Sequence, residues 1–80
     1  MKPEKVFRIG FVSASVFVNE VQTDSGKREI RNVNLQRRYK DGNEWKSSSS
    51  FGLGDMPQAI AVLELAMKHV ADQEADVTTG

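Results

Sequence analysis

The chain predicts a two-layer α+β domain: a twisted antiparallel sheet of three to four strands, followed by one C-terminal helix packed on one face. Three observations carry this reading. Residues 6–19 and 28–40 alternate apolar and polar side chains with the period of a strand. Asp24-Ser25-Gly26 and Asp41-Gly42 supply turn chemistry after those runs. Beyond residue 55 the apolar residues recur at helical spacing.

The first run has one break in phase. Phe7, Ile9 and Phe11 share one parity, and Val12, Ala14, Val16 and Val18 share the other. One extra residue near Gly10 brings both sets to the same core, as a β-bulge does. Glycine inside a strand pattern marks such a bend. A split at Gly10 instead gives four strands. Past the bend the opposite face carries Ser13, Ser15, Phe17 and Asn19, so Phe17 is an aromatic among polar neighbours. Residues 20–27 are polar and read as a turn region. The strand from about Arg28 to Lys40 places Val33, Leu35 and Tyr39 on one face, with Arg37 between them. Asn32, Asn34, Gln36 and Arg38 fall on the other.

The Asp41-Gly42 turn admits two registers. A two-residue type I′ loop puts Trp45 beside Arg38 on the polar face. A three-residue loop with left-handed glycine reverses the parity and unites Val33, Leu35 and Tyr39 with Trp45 and Phe51. Register follows the hydrophobic pattern where one face is buried, which favours the three-residue loop. The polar face is then Asn34, Gln36, Arg38, Lys46, Ser48 and Ser50. Ser47 to Ser50, lying between Trp45 and Phe51, reads as strand.

Gly52-Leu53-Gly54 is a connector. Asp55 suits an N-cap and Pro57 the first helical turn. The helix should end near Asp72–Glu74. Met56, Ile60, Leu63, Met67 and Val70 make its apolar stripe, and Ala59, Val62 and Ala66 widen it. That width is enough to cover the sheet and also touch a second subunit. Residues 1–72 form the expected domain, and residues 73–80 an acidic flexible tail.

Eighty residues make one small domain. Such a chain buries only about 60–65% of its unfolded surface, so a second copy would help its thin core. With no cysteine and one histidine, disulfides, thiolate metal sites and multi-histidine centres within one chain are excluded. No cofactor is expected. The longest uncharged run is too short to span a bilayer, and no apolar segment follows the N-terminal charges. These features imply a soluble, cytoplasmic protein. The net charge of zero is a cancellation between a basic strand region and an acidic helix and tail. Such asymmetry points to a polyanionic partner on one side.

Catalysis finds little support. His69 has no evident partner for nucleophilic chemistry, Asp41 and Glu44 flank a turn, and Gly52-Leu53-Gly54 lacks the phosphate-loop pattern. The polar sheet face is the stronger feature. Grooves that bind single-stranded nucleic acid combine cations with aromatic stacking platforms. Arg38 and Lys46, as adjacent strand neighbours, would repel each other and favour an anion between them. Phe17 offers a stacking surface, and Asn34, Gln36, Ser48 and Ser13 offer hydrogen bonds. An ordinary solvated sheet face is the competing reading, and the residues alone leave both open.

Short motifs add a resemblance. Phe7-Arg8-Ile9-Gly10, Ser15-Val16-Phe17-Val18, Ser25-Gly26-Lys27 and the run Arg37 to Glu44 are laid out as in one known family. The chain resembles the single-stranded-DNA-binding domain of the eukaryotic transcriptional positive cofactor and its bacterial and phage relatives. More distantly it resembles the plant Whirly proteins. Tyr39 stands where that family has tryptophan, and Trp45 follows the turn instead. The resemblance implies stacking by Phe17 and Tyr39, phosphate contacts by Arg37, Arg38 and Lys46, and a homodimer formed through the helix and a sheet edge. It implies a low-specificity binder of single-stranded DNA or RNA in transcription, replication or recombination. The alternative is a protein-interaction module that uses the apolar helix stripe and binds no nucleic acid.

Overall fold

The structure is a computed structural model that describes residues 2–74. Four strands, β1 (Lys5–Ile9), β2 (Val12–Thr23), β3 (Gly26–Asp41) and β4 (Glu44–Ser48), precede a short 3₁₀ turn and one helix, α1 (Met56–Glu74). The sheet is an antiparallel meander in the order β1-β2-β3-β4. The expected α+β architecture is therefore present, with four strands.

Two hairpins share one device. Ile9 pairs with Val12, and Asp41 pairs with Glu44, leaving the two-residue loops Gly10-Phe11 and Gly42-Asn43. Both loops open on a glycine in left-handed backbone, with φ of 61° at Gly10 and 63° at Gly42. The second loop residue has no positive φ in either case, which is the type II′ signature. Gly10 is thus a hairpin corner and not a bulge, because a positive φ just before a paired strand reverses the chain.

The hairpin from β2 to β3 is longer than the sequence suggested. Pairing continues to Thr23 and Gly26, so most of the polar run at 20–27 is strand. Only Asp24 and Ser25 of that run lack a cross-strand partner, and Glu20–Lys27 adds an exposed ion pair at 3.4 Å. β1 covers only residues 12–16 of β2, and β4 only residues 37–41 of β3. Residues 17–23 and 26–32 therefore extend as a two-stranded ribbon. β3 alone, at about 3.3 Å per residue, accounts for the molecule's 53 Å long dimension.

The core lies between α1 and the wide part of the sheet. Val12, Ala14 and Val16 of β2 meet Ala59, Val62 and Ala66 of α1, all buried. Phe7, Val33, Leu35, Phe51 and Val70 pack around them. The helix turns Ala59, Val62 and Ala66 to the sheet, where they are buried in one cluster with Val12, Ala14 and Val16. The larger residues expected at the sheet interface, Met56, Ile60, Leu63 and Met67, are exposed. This corrects the stripe assignment: Ala59, Val62 and Ala66, which widen the stripe, are the buried helix residues, and of the stripe itself Val70 packs beside them.

A polar clamp joins the N-terminus, the ribbon and the helix. Arg31 donates through Nε and Nη2 to the two Glu4 carboxylate oxygens at 2.8 and 2.9 Å. His69 Nε2 lies 2.9 Å from Glu4 Oε2, and its ring meets Phe7 edge-on at 6.0 Å. The Arg31 backbone N–H donates to Glu74 at 2.9 Å. So α1 continues through Gln73 and Glu74, two residues placed in the tail by the sequence; residues 75–80 lie outside the described residues. His69 is a structural partner in this clamp.

The Arg31 and His69 hydrogen bonds lower the Glu4 pKa from 4.5 to about 2. In that interval the unfolded chain binds a proton that the folded chain does not, so stability falls with falling pH. The Glu4 contribution should be complete above about pH 4.5 and should disappear as pH drops towards about 2. Chemical denaturation of the parent and of Glu4→Gln across this range checks it. The two should differ above pH 5 and converge near pH 2.

Candidate nucleic-acid interface

Register assigns every strand residue to a face. The helix side of β3 carries Lys27, Glu29, Arg31, Val33, Leu35, Arg37 and Tyr39, which pair with the core parity of β2 and with Lys46 and Ser48 of β4. The open side carries Arg28, Ile30, Asn32, Asn34, Gln36, Arg38 and Lys40. Beside them lie Val6 and Arg8 of β1, Ser13, Ser15, Phe17, Asn19 and Val21 of β2, and Trp45 and Ser47 of β4. β3 shows the alternation directly: its odd residues from 31 to 39 are half-buried and its even ones exposed.

This placement divides the sequence-predicted site. Phe17, Asn34, Gln36 and Arg38 come together on the open face. Arg37, Tyr39, Lys46 and Ser48 lie on the other. Arg38 pairs with Ser47, and Lys46 pairs with Tyr39, so the expected Arg38–Lys46 juxtaposition does not form. The cause is the two-residue Gly42-Asn43 loop. It restores the parity that the three-residue reading reversed. Trp45, expected on the apolar face, stands on the open face opposite Lys40.

Electrostatics divides along the same line. On the helix side each arginine has a carboxylate: Arg31 has Glu4, and Arg37 has Asp55 at 3.4 Å. Lys46 has Asp41 at 3.0 Å. Arg37 also donates to the Ser50 carbonyl, at 3.0 Å, and lies over the Tyr39 ring at 5.4 Å. On the open face, Arg8, Arg28, Arg38 and Lys40 form no ion pair among the described residues. The open-face strand positions hold no Asp or Glu. Arg38 and Lys40, two residues apart on one face, sit about 7 Å from each other.

Two aromatic centres punctuate this face. Near the β3–β4 end, Phe11 and Trp45 pack at 5.6 Å with ring planes tilted by 30°. The Arg38 guanidinium lies over the Trp45 ring at 5.2 Å. The Arg38 backbone N–H donates to the Phe11 carbonyl at 2.8 Å, which holds the Gly10-Phe11 corner against β3. Phe11 is 63% exposed and Trp45 48% exposed, so this cluster is surface and not core. Near the ribbon, Phe17 and Asn19 with Asn32, Val33 and Asn34 line an open cavity of about 560 Å³. Arg8, Ser13 and Gln36 form one cross-strand row between the two centres.

Sequence reasoning passed over Phe11, Asn19, Lys40 and Trp45 as site residues. The alternating pattern alone held the signal for Asn19 and Lys40. For Phe11 and Trp45 the signal was Gly-x flanked by alternating runs, read as a two-residue hairpin loop.

The family models, curated proteins and solved structures compared with this chain give no match.

Proposed function

We propose that this protein binds single-stranded nucleic acid, DNA or RNA, on the open sheet face with little sequence specificity. The context fitting such an activity is transcription, replication or recombination. One observation carries the reading: four cations and three aromatics share a face without a carboxylate, while the helix-side arginines and Lys46 are matched by acids. Phosphates would relieve the Arg38–Lys40 repulsion, and unpaired bases would stack on Phe17 and on the Phe11–Trp45 pair. A duplex hides its base faces and gains nothing from those rings.

The helix supports a homodimer as the working form. Met56, Ile60, Leu63 and Met67 are exposed at alternating spacings of four and three residues, the repeat of a coiled-coil seam. A second copy would cover this stripe. The same stripe favours the second reading, a docking module for another protein that has no affinity for nucleic acid.

Arg37 and Arg38 are adjacent in sequence and opposite in face, so they make a matched test. Fluorescence anisotropy with a labelled single strand at several salt concentrations reads it. Arg38→Ala should weaken binding and reduce the log–log salt slope by about 0.7. Arg37→Ala should leave that slope unchanged, its charge being held by Asp55. Equal effects of the two substitutions on the slope would reject the open-face assignment. Sedimentation equilibrium tests the dimer: the parent should have twice the 8.9 kDa chain mass, and Ile60→Glu should shift it towards one chain.

A further inference from the structure

We propose that a second copy of this chain adds to the outer edge of β3, antiparallel, with Ile30 opposite the partner's Ile30. The proposal rests on the homodimer reading above and gives it a surface and a register that the helix stripe alone does not supply.

The edge is open backbone. Asp41 and Glu44 flank a two-residue loop and exchange backbone hydrogen bonds. Odd-numbered residues of β3 therefore turn their N–H and C=O away from β2, and even-numbered ones towards it. Two contacts agree: the Arg38 N–H reaches the Phe11 carbonyl beside β2, and the Arg31 N–H points outward to Glu74. The pairing with β4 stops at Arg37. Of the outward backbone groups of Lys27, Glu29, Arg31 and Val33, only the Arg31 N–H has a partner among the described residues. Such an edge is a template for another strand. Strand addition passes the Arg31 N–H from Glu74 to the carbonyl of the partner's Glu29.

Charge sets the register. Two copies joined edge to edge are related by a two-fold axis. Only odd residues offer outward groups, so the axis passes through a residue, which then faces itself. An axis at Lys27, Arg28, Glu29 or Arg31 opposes like charges. An axis at Asn32 brings no opposite charges together. At Ile30, Glu29 faces the partner's Arg31, Arg31 faces the partner's Glu29, Lys27 faces the partner's Val33, and no like charges meet. Ile30, 38% exposed, then meets its counterpart on the open face, in the non-hydrogen-bonded position where side chains approach most closely. The helix stripe lies on the same flank. Ile60, Met67 and Glu74 recur at seven-residue spacing, and Glu74 reaches Arg31 on this edge. The added copy thus also lies beside the last turns of that stripe.

The pairing completes the cavity beside Phe17. Within one chain Phe17, Asn19, Asn32, Val33 and Asn34 line it, and none is a cation. In this register the partner's Arg28 stands opposite Asn32, which itself pairs with Phe17. The partner thereby brings a cation to the Phe17 ring, the combination that holds a single strand. This consequence rests on the nucleic-acid reading; the edge contact does not.

The chain holds no cysteine, so one introduced thiol is a clean probe. Opposed non-hydrogen-bonded residues have Cα atoms about 4.5 Å apart, within the roughly 4.4–6.8 Å that a disulfide spans. Ile30→Cys should therefore oxidise to a covalent pair and shift on a non-reducing gel from 8.9 kDa to twice that mass. Arg28→Cys and Asn32→Cys should each remain single, their thiols lying roughly 13 Å from their own counterparts along the strands. The two combined should cross-link, because they face each other. A parent that sediments as a dimer while Ile30→Cys stays single would overturn the edge contact and leave the homodimer reading intact. Cross-linking of Arg28→Cys as readily as of Ile30→Cys would overturn the register. A parent that sediments as one chain would reject the homodimer reading and the edge with it.

Discussion

The two-residue pleat of β3 organises the rest of the molecule. Its sixteen residues pair with β2 over most of their length and with β4 at the end. Because successive side chains point to opposite faces, every residue's environment is set once the register is set. Val33 and Leu35 then reach the core. Arg31 and Arg37 reach carboxylates. Arg38 and Lys40, one step out of phase, reach solvent beside Trp45. A slip of one residue would exchange those fates. The glycine-led loops at Gly10 and Gly42 and the apolar pairing of Val16 with Val33 and Ala14 with Leu35 prevent it.

The architecture was legible in the sequence because its signals are local. Period-two alternation, Asp-Gly turn chemistry and the helical recurrence after Asp55 each require only neighbouring residues. The faces of β4 were not legible, because parity across a hairpin depends on loop length, and Gly42-Asn43 and a three-residue loop use the same residues. The hydrophobic-pattern argument then misled, since it assumed that Trp45 must be buried. Trp45 instead packs on Phe11 beneath Arg38, an aromatic pair that stays at the surface. The helix presents the same difficulty. Ala59 and Ala66 carry a weaker hydrophobic signal than Ile60 and Met67, yet they are the residues buried against β2. The clamp of Glu4, Arg31 and His69 joins residues far apart in sequence, and no pattern of spacing announces it.

These features together describe a domain with more exposed apolar and cationic surface than its own fold requires. Among the described residues the buried core is six side chains, three from β2 and three from α1. The ribbon beyond residue 17 is two-stranded, an arrangement of marginal stability by itself. The clamp at Arg31 ties it to the helix terminus through Glu74. The exposed seam on α1 and the carboxylate-free sheet face lie on opposite sides of the sheet. A partner on the helix therefore need not compete with a ligand on the open face, and self-association and nucleic-acid binding are compatible in one particle.

The most direct measurement is a titration of isotopically labelled protein with a short single-stranded oligonucleotide, followed by amide and indole nitrogen–proton correlation spectra. The account requires the largest shifts at Ser13, Ser15, Phe17, Asn32, Asn34, Gln36 and Arg38 and at the Trp45 indole, with Val62 and Ala66 unmoved. Shifts centred on Met56, Ile60, Leu63 and Met67, or none at all with saturating oligonucleotide, would contradict it.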